Sequence, residues 1–140
     1  IYTVLVEGDD LDDPIADASR AILDGHIVLS RHLADEGVFP AVDISASISR
    51  AMVSLVDEQH YAGLQAVKEH MATYYANRDL ITIGAYQRGS DPRIDAAIEL
   101  HPHIMELLRQ PIDSSIPMSE SVTALQTLTG VTGEQEVADA

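Results

Sequence analysis

Few residues in this chain have the type and spacing that catalysis or metal binding requires. His101 and His103 lie two positions apart, close enough to share a zinc ion, but no convincing third ligand accompanies them. The acidic segment 7–13 departs from the EF-hand pattern, because Leu11 and Pro14 stand where a ligand and a glycine are needed. We therefore expect no metal site, and we interpret the histidines as surface residues.

Motifs for nucleophilic attack and for phosphate binding are missing from the sequence. It contains no cysteine and no Gly-x-Ser-x-Gly, so its six histidines do not indicate a hydrolytic triad. Neither a P-loop nor a Gly-x-Gly-x-x-Gly is present, and the only lysine, Lys68, belongs to a helical pattern. We expect that this chain does not by itself hold a triphosphate in the P-loop manner.

Arg50 is the residue best placed for chemistry. It follows the small, polar segment 43–49, and we expect it just beyond a strand end, where α/β sheets bind their ligands. The alternative is a structural arginine paired with one of the many acids, and spacing alone favours that alternative.

The elements that must position these residues begin as an α/β pattern. Residues 2–6 predict a buried strand, Asp13 and Pro14 predict a helix start, and Gly25 predicts a left-handed helix stop. A second strand over 26–30 completes a βαβ order, which makes the two strands parallel.

The α/β pattern continues to about residue 55. A short helix over 31–36 ends at Gly37, and 39–43 is extended because Pro40 disfavours helix in the residue before it.

The second half predicts helices only. Apolar residues spaced by three or four predict a long helix from Val56 to about Asn77, and a short helix follows at 80–86. Asp91 caps the next helix, Pro102 starts or kinks a further segment that ends at Pro111, and 122–128 forms a last helix. We thus expect an α/β part at 1–55, a helical domain at 56–129 and a flexible acidic tail at 130–140.

Charge and hydropathy exclude several functions. With 23 acids against eight bases the net charge is −15, which repels nucleic acid and anionic lipid. No apolar run approaches the ~20 residues of a membrane span, so we expect a soluble chain with at most peripheral membrane association. The lack of cysteine fits a reducing compartment.

Several long blocks in one order resemble a known family. The blocks are 2–17, 22–31, 39–43, 47–50, 83–92 and 107–110, and together they resemble the flagellar and type III secretion ATPases over residues 1–128. The resemblance implies the C-terminal part of a RecA-like nucleotide-binding domain followed by a small helical domain. It also implies that the P-loop, the Mg-coordinating acid and the catalytic glutamate lie upstream of Ile1, so that this chain is inactive alone while its parent uses ATP and Mg.

The resemblance assigns roles to individual residues. Arg50 matches the arginine finger, which in this family enters the neighbouring subunit's site. Phe39 matches the aromatic residue that stacks on adenine, although a lone phenylalanine in the core is the alternative. Gln110, and more weakly Ile112, match positions that line the adenine pocket.

The resemblance also implies partners. The acids Asp9, Asp10, Asp12 and Asp13 match the loop that faces a coiled-coil stalk protein inside a homo-hexamer, although a capped helix with solvated charge explains them too. Export substrates, chaperones and a cytoplasmic location at the membrane export gate follow from the same resemblance. The segment 83–92 favours the flagellar branch.

Two other functions stay open. The chain could be a non-catalytic acidic adaptor that binds a basic partner, because it lacks a P-loop. It could also be a non-catalytic subunit of a synthase-like ring.

Overall fold

A computed structural model describes residues 1–6 and 13–131 of the chain. The chain divides into two compact units, Ile1–Leu55 and Val56–Ala140. The elements in chain order are α1 (Pro14–Ile22), β1 (Gly25–Leu29), α2 (Arg31–Asp35), β2 (Val42–Ser49), α3 (Met52–Leu55), α4 (Glu58–Thr82), α5 (Pro92–Leu108) and α6 (Met118–Thr129). The order of an α/β part followed by an all-helical part is the predicted one.

Helix α1 begins where its cap was predicted. The Asp13 carboxylate accepts hydrogen bonds from the backbone N–H groups of Ile15, at 2.9 Å, and Ala16, at 3.2 Å. These bonds satisfy two donors that have no partner within the helix. The cap prediction is therefore confirmed.

The predicted stop at Gly25 is wrong. Helix α1 ends with Leu23 in an extended conformation, and Gly25 is the first residue of β1. A Cβ atom on Gly25 would lie 2.8 Å from the carbonyl oxygen of Ile48. Close approach of two backbones, and not a left-handed turn, therefore calls for glycine here.

The sheet of the first unit is an antiparallel pair that the sequence did not predict, and the predicted parallel pair of 2–6 with 26–30 is absent from the described residues. Strand β1 pairs with β2, with Leu29 opposite Val42 at one end and Gly25 opposite Ser49 at the other. Residues 2–6, which were predicted to be a strand, form none in the described part of the chain. A β-strand is stabilised by hydrogen bonds to a neighbouring strand. Because the connection through α2 reverses the direction of the chain, β2 runs antiparallel to β1.

The turn after α2 follows its prediction. Gly37 has a φ of 72°, and the N–H of Val38 donates to the Leu33 carbonyl at 2.8 Å. This left-handed turn ends the helix and carries Val38, only 2% exposed, into the core of the unit.

Helix α4 is longer than predicted. It runs for 25 residues to Thr82 and includes the first three residues of the segment that was predicted as a separate helix over 80–86. No glycine or proline lies between Asn77 and Thr82, and the chain turns only at Gly84, which has a φ of 70°. The separate helix is therefore a wrong prediction.

Helices α5 and α6 contain the other prolines and glycines of interest. Pro102 lies inside α5, which continues beyond it to Leu108. A proline inside a helix removes one backbone hydrogen bond, and the helix continues through it here. Helix α6 contains the predicted helix over 122–128 but is longer, since it starts after Pro117 and ends at Gly130, which has a φ of 69°. Of the predicted tail over 130–140, Gly130 caps α6, and residues 132–140 lie outside the described residues.

The three long helices of the second unit pack on one another. Their buried residues are Gly63, Val67, Met71, Ala97, Ile104 and Met105. His103 is exposed as predicted, but His101 is half-buried, with its ring stacked 3.6 Å from that of Tyr74. Because its ring packs against Tyr74 of α4, His101 is not the fully exposed surface residue that was predicted. No helix in the described ranges has the length and apolarity to cross a bilayer.

Candidate functional site

Arg50 lies immediately after β2, at the end of the hairpin where Gly25 faces Ser49. Its backbone N–H donates to the Asp24 carbonyl at 2.8 Å, which extends the ladder by one bond. The main chain of Arg50 is thereby held to β1, while its side chain is exposed. A guanidinium at a fixed strand end is the arrangement the sequence predicted.

The guanidinium of Arg50 has one weak contact. Its Nη2 donates to the carbonyl of Arg20, in the last turn of α1, across 3.5 Å. Among the residues that the structure describes, Arg50 forms no ion pair, unlike Arg20, which pairs with Asp17, and Arg93, which pairs with Asp91. No acid of residues 1–6 and 13–131 therefore pairs with Arg50, and the alternative of a structural arginine stays open only for the acids outside these residues.

Phe39 lies at the opposite end of the same hairpin. It follows the buried Val38 and precedes Pro40 across a cis peptide bond, and its side chain is 54% exposed. The core alternative for Phe39 is therefore wrong in this unit. The four residue steps from Leu29 back to Gly25 span about 13 Å at ~3.3 Å per residue, so Phe39 and Arg50 do not converge.

Gln110 and Ile112 belong to the second unit, in the connection between α5 and α6. Gln110 is half-buried, whereas Ile112 is 98% exposed. The connection turns at Pro111, whose carbonyl accepts from both the N–H and the hydroxyl of Ser114. The turn therefore presents Ile112 to solvent.

Of the acids predicted to face a stalk, the structure describes Asp13 alone. Asp13 is half-buried and its Oδ1 caps α1. Asp9, Asp10 and Asp12 lie outside the described residues, so their predicted role stays a prediction.

Side-chain hydrogen bonds that the sequence did not predict join the α4–α5 turn to α5, and we call this arrangement a clasp. The Tyr86 hydroxyl donates to Asp95 Oδ1 at 3.0 Å, and the Gly89 N–H donates to Asp95 Oδ2 at 2.8 Å. Burial raises the pKa of Tyr86, and the Asp95 carboxylate adds to that rise. Asp91 caps α5, and its bond from the Arg93 N–H lowers the pKa of its carboxyl. A tyrosine just before a capped helix start could have indicated this clasp.

Each of the two units matches a known protein family. Residues 1–49 match the ATP synthase alpha/beta family, nucleotide-binding domain. Residues 56–127 match the T3SS EscN ATPase C-terminal domain. The two units thus define the class: the end of a nucleotide-binding domain followed by a secretion-ATPase helical domain.

Individual relatives agree with that class. The chain is 54% identical over 127 residues to the flagellum-specific ATP synthase of Salmonella typhimurium, covering 91% of this chain and 28% of the relative. The assembled ATPase EscN of the enteropathogenic E. coli type III secretion system matches with a TM-score of 0.88 and 41% identity, covering 92% of this chain and 31% of EscN. EscN in complex with its central stalk EscO matches with a TM-score of 0.77 and 39% identity, covering 83% and 29%.

The chain belongs to the flagellar and type III secretion ATPase family. It spans less than a third of the length of these relatives.

Proposed function

We propose that this chain is the C-terminal part of an ATPase subunit that energises protein export through a flagellar or type III secretion apparatus. In this proposal, ATP hydrolysis by the full-length protein drives the unfolding and delivery of exported proteins. Family membership supports the class of activity. The observation that carries the proposal for this chain is the exposed Arg50 guanidinium, which has no carboxylate partner among the described residues.

Arg50 acts in trans as an arginine finger in this proposal. Its main chain is held to β1 through the Asp24 carbonyl, so the strand end determines where the side chain starts. Among the described residues, the contact that must break for the guanidinium to reach a phosphoryl group is the 3.5 Å one to the Arg20 carbonyl. In related nucleotide hydrolases, a fixed guanidinium beside the developing γ-phosphoryl charge contributes ~10³ to 10⁵ in rate.

In this proposal Phe39 contacts the adenine of one nucleotide, and Arg50 reaches the phosphate of another. The exposed ring offers an apolar face for stacking. Because Phe39 and Arg50 lie at opposite ends of the hairpin, the proposal assigns each to a separate site of a homo-hexamer. Gln110 and Ile112 line the adenine pocket in the same proposal.

ATP and Mg bind mainly to other parts of the full-length protein in this proposal. Arg50 and Phe39 suit a phosphate and a base, respectively. Residues 1–6 and 13–131 contain no group of three acidic or histidine side chains that could hold a metal ion. The residues of this chain therefore supply contacts to a nucleotide and leave metal coordination to the rest of the protein.

The proposed partners are a coiled-coil stalk protein, export substrates and their chaperones. The acids at Asp9, Asp10, Asp12 and Asp13 attract a basic stalk electrostatically. The relative EscN has been solved with its central stalk EscO, which supports such a partner. The proposed location is the cytoplasm, at the inner face of the membrane export gate.

The test uses Arg50→Ala and Arg50→Lys in the full-length protein that contains this chain. Both variants should assemble normally, and both should lose ATPase activity by ~10³-fold, since a lysine lacks the planar guanidinium. Arg88→Ala is the matched control, because Arg88 is another exposed arginine, and it should keep full activity.

An Arg50→Ala protein that assembles and hydrolyses ATP at the normal rate would refute the assignment. A full-length protein with no ATPase activity at all would instead favour the acidic adaptor, for which the net charge of −15 already provides an attraction to basic partners.

A further inference from the structure

Strand β2 contains a large bulge between its two paired ends. His26 pairs with Ile48 and Val28 pairs with Asp43, so Ile27 alone faces the four residues 44–47. An irregularity of this size leaves backbone polar groups without their ladder partners. The bulge therefore needs other groups to hold its shape.

Side chains supply those missing partners. The Asp43 carboxylate accepts from the N–H groups of Ser45, at 2.9 Å, and Ala46, at 3.0 Å. The Ser47 hydroxyl donates to the Asp43 carbonyl and accepts from the N–H of Val28 at 2.9 Å. The bulge is thus closed by a network of side-chain hydrogen bonds, and Ser47 also fastens it to β1.

Further support comes from β1. Nε2 of His26 donates to the Ala46 carbonyl across 3.2 Å. Asp43, Ser47 and His26 are all half-buried, so their bonds are partly shielded from competing water. The shape of the bulge consequently depends on these three side chains.

Only two residues separate the bulge from Arg50. After Ser47, the ladder resumes with Ile48 and Ser49, and then the Arg50 N–H reaches the Asp24 carbonyl. The number of residues taken up by the bulge determines which residue follows the last strand pair. A change of one residue would also turn the side chain to the opposite face of the strand.

We propose that Asp43 and Ser47 are positioning residues for Arg50, because together they hold the bulge that determines where the guanidinium emerges from β2. This inference rests on the proposed function of Arg50 as an arginine finger. Catalytic groups are sensitive to small displacements, and a misplacement of about 1 Å costs on the order of 100-fold in rate.

The central variants are Asp43→Ala and Asp43→Asn in the full-length protein. Alanine removes the acceptor for both N–H groups, whereas the asparagine amide oxygen keeps it. Asp43→Ala should lower kcat by ~100-fold with the KM for ATP changed less than about twofold. Asp43→Asn should restore most of the rate. Asp35→Ala, a change at an exposed acid on α2, is the control and should leave kcat unchanged.

The double variant Asp43→Ala/Arg50→Ala separates positioning from general stability. If Asp43 acts through Arg50, the double variant should have the same kcat as Arg50→Ala alone. Multiplied effects would overturn the inference. An Asp43→Asn protein as slow as Asp43→Ala would also overturn it, because the charge and not the hydrogen bonds would then matter.

Two further outcomes keep the inference distinct from the proposed function. If Arg50→Ala keeps full activity, the proposed function fails and the inference fails with it. If Arg50→Ala is slow while Asp43→Ala is normal, only the inference fails. Should Asp43→Ala not assemble, Ser47→Ala replaces it under the same criteria, since it removes the bond to Val28 while sparing the Asp43 carboxylate.

Discussion

Gly63 lies in α4 at the point where α6 packs against it, and enlarging this residue tests how tightly the helical unit is built. A Cβ atom there would lie 3.2 Å from Leu125 Cγ and 3.3 Å from Thr129 Oγ1. The Thr129 hydroxyl donates to the Leu125 carbonyl at 2.9 Å, so turning the hydroxyl away from a new methyl group would break this hydrogen bond. Gly63→Ala and Gly63→Val are the informative substitutions.

Two opposing effects determine the outcome. Alanine in a helix interior is favoured over glycine by ~1 kcal/mol, and overpacking by one methyl group costs about as much. We therefore expect Gly63→Ala to stay within ~1 kcal/mol of the natural protein. Gly63→Val adds two more methyl groups against Leu125, so its free energy of unfolding should fall below that of the alanine variant by ~2–3 kcal/mol.

Urea unfolding followed by far-UV circular dichroism measures these differences, because α4, α5 and α6 contribute most of the helical signal. Valine is also a poorer helix former than alanine, by ~0.6 kcal/mol. Ala72→Val, on an exposed position of α4, measures that contribution alone. A difference between the two Gly63 variants no larger than the Ala72→Val effect would refute the reasoning from close packing.

Three further predictions concern the same unit. Asp57→Ala should lower the free energy of unfolding by ~1 kcal/mol, because the Asp57 carboxylate caps α4 through the His60 N–H at 2.7 Å; Asp57→Asn should retain most of it in the same urea titration. Ile104→Ala should cost ~2–5 kcal/mol, since Ile104 is 1% exposed, and Ile104→Val should cost only ~1 kcal/mol. The Tyr86 pKa is raised above its ordinary 10.0, so the stability that the neutral hydroxyl contributes is complete below pH 10 and is lost as pH rises further. In thermal melts from pH 8 to 11, the melting temperature of Tyr86→Phe should therefore fall less with pH than that of the natural protein.

Local signals predicted the parts of the fold that depend on neighbouring residues. The cap at Asp13, the left-handed turn at Gly37 and the start of α5 after Asp91 all appear in the structure. Each is decided within a few residues by side-chain capping or by backbone sterics, so the sequence alone suffices.

Most of the wrong predictions concern features that depend on residues distant in the sequence. The strand predicted at 2–6 and its parallel pairing with 26–30 were wrong, because strand pairing depends on which segment lies alongside. Gly25 was assigned to a turn, yet the nearby Ile48 carbonyl explains it. The helix predicted at 80–86 was wrong because α4 runs on to Thr82, with no glycine or proline between Asn77 and Thr82 to stop it.

For the candidate site, residue type and spacing drew attention to Arg50, and the resemblance to the secretion ATPases gave Arg50 and Phe39 their predicted roles. Whether a carboxylate neutralises Arg50, and whether Phe39 fills the core, depends on what the folded chain brings near them. The structure exposes both side chains at opposite ends of one hairpin and places a bulge held by Asp43 and Ser47 just before Arg50. These arrangements join residues far apart in the chain, and only tertiary packing determines which of them meet.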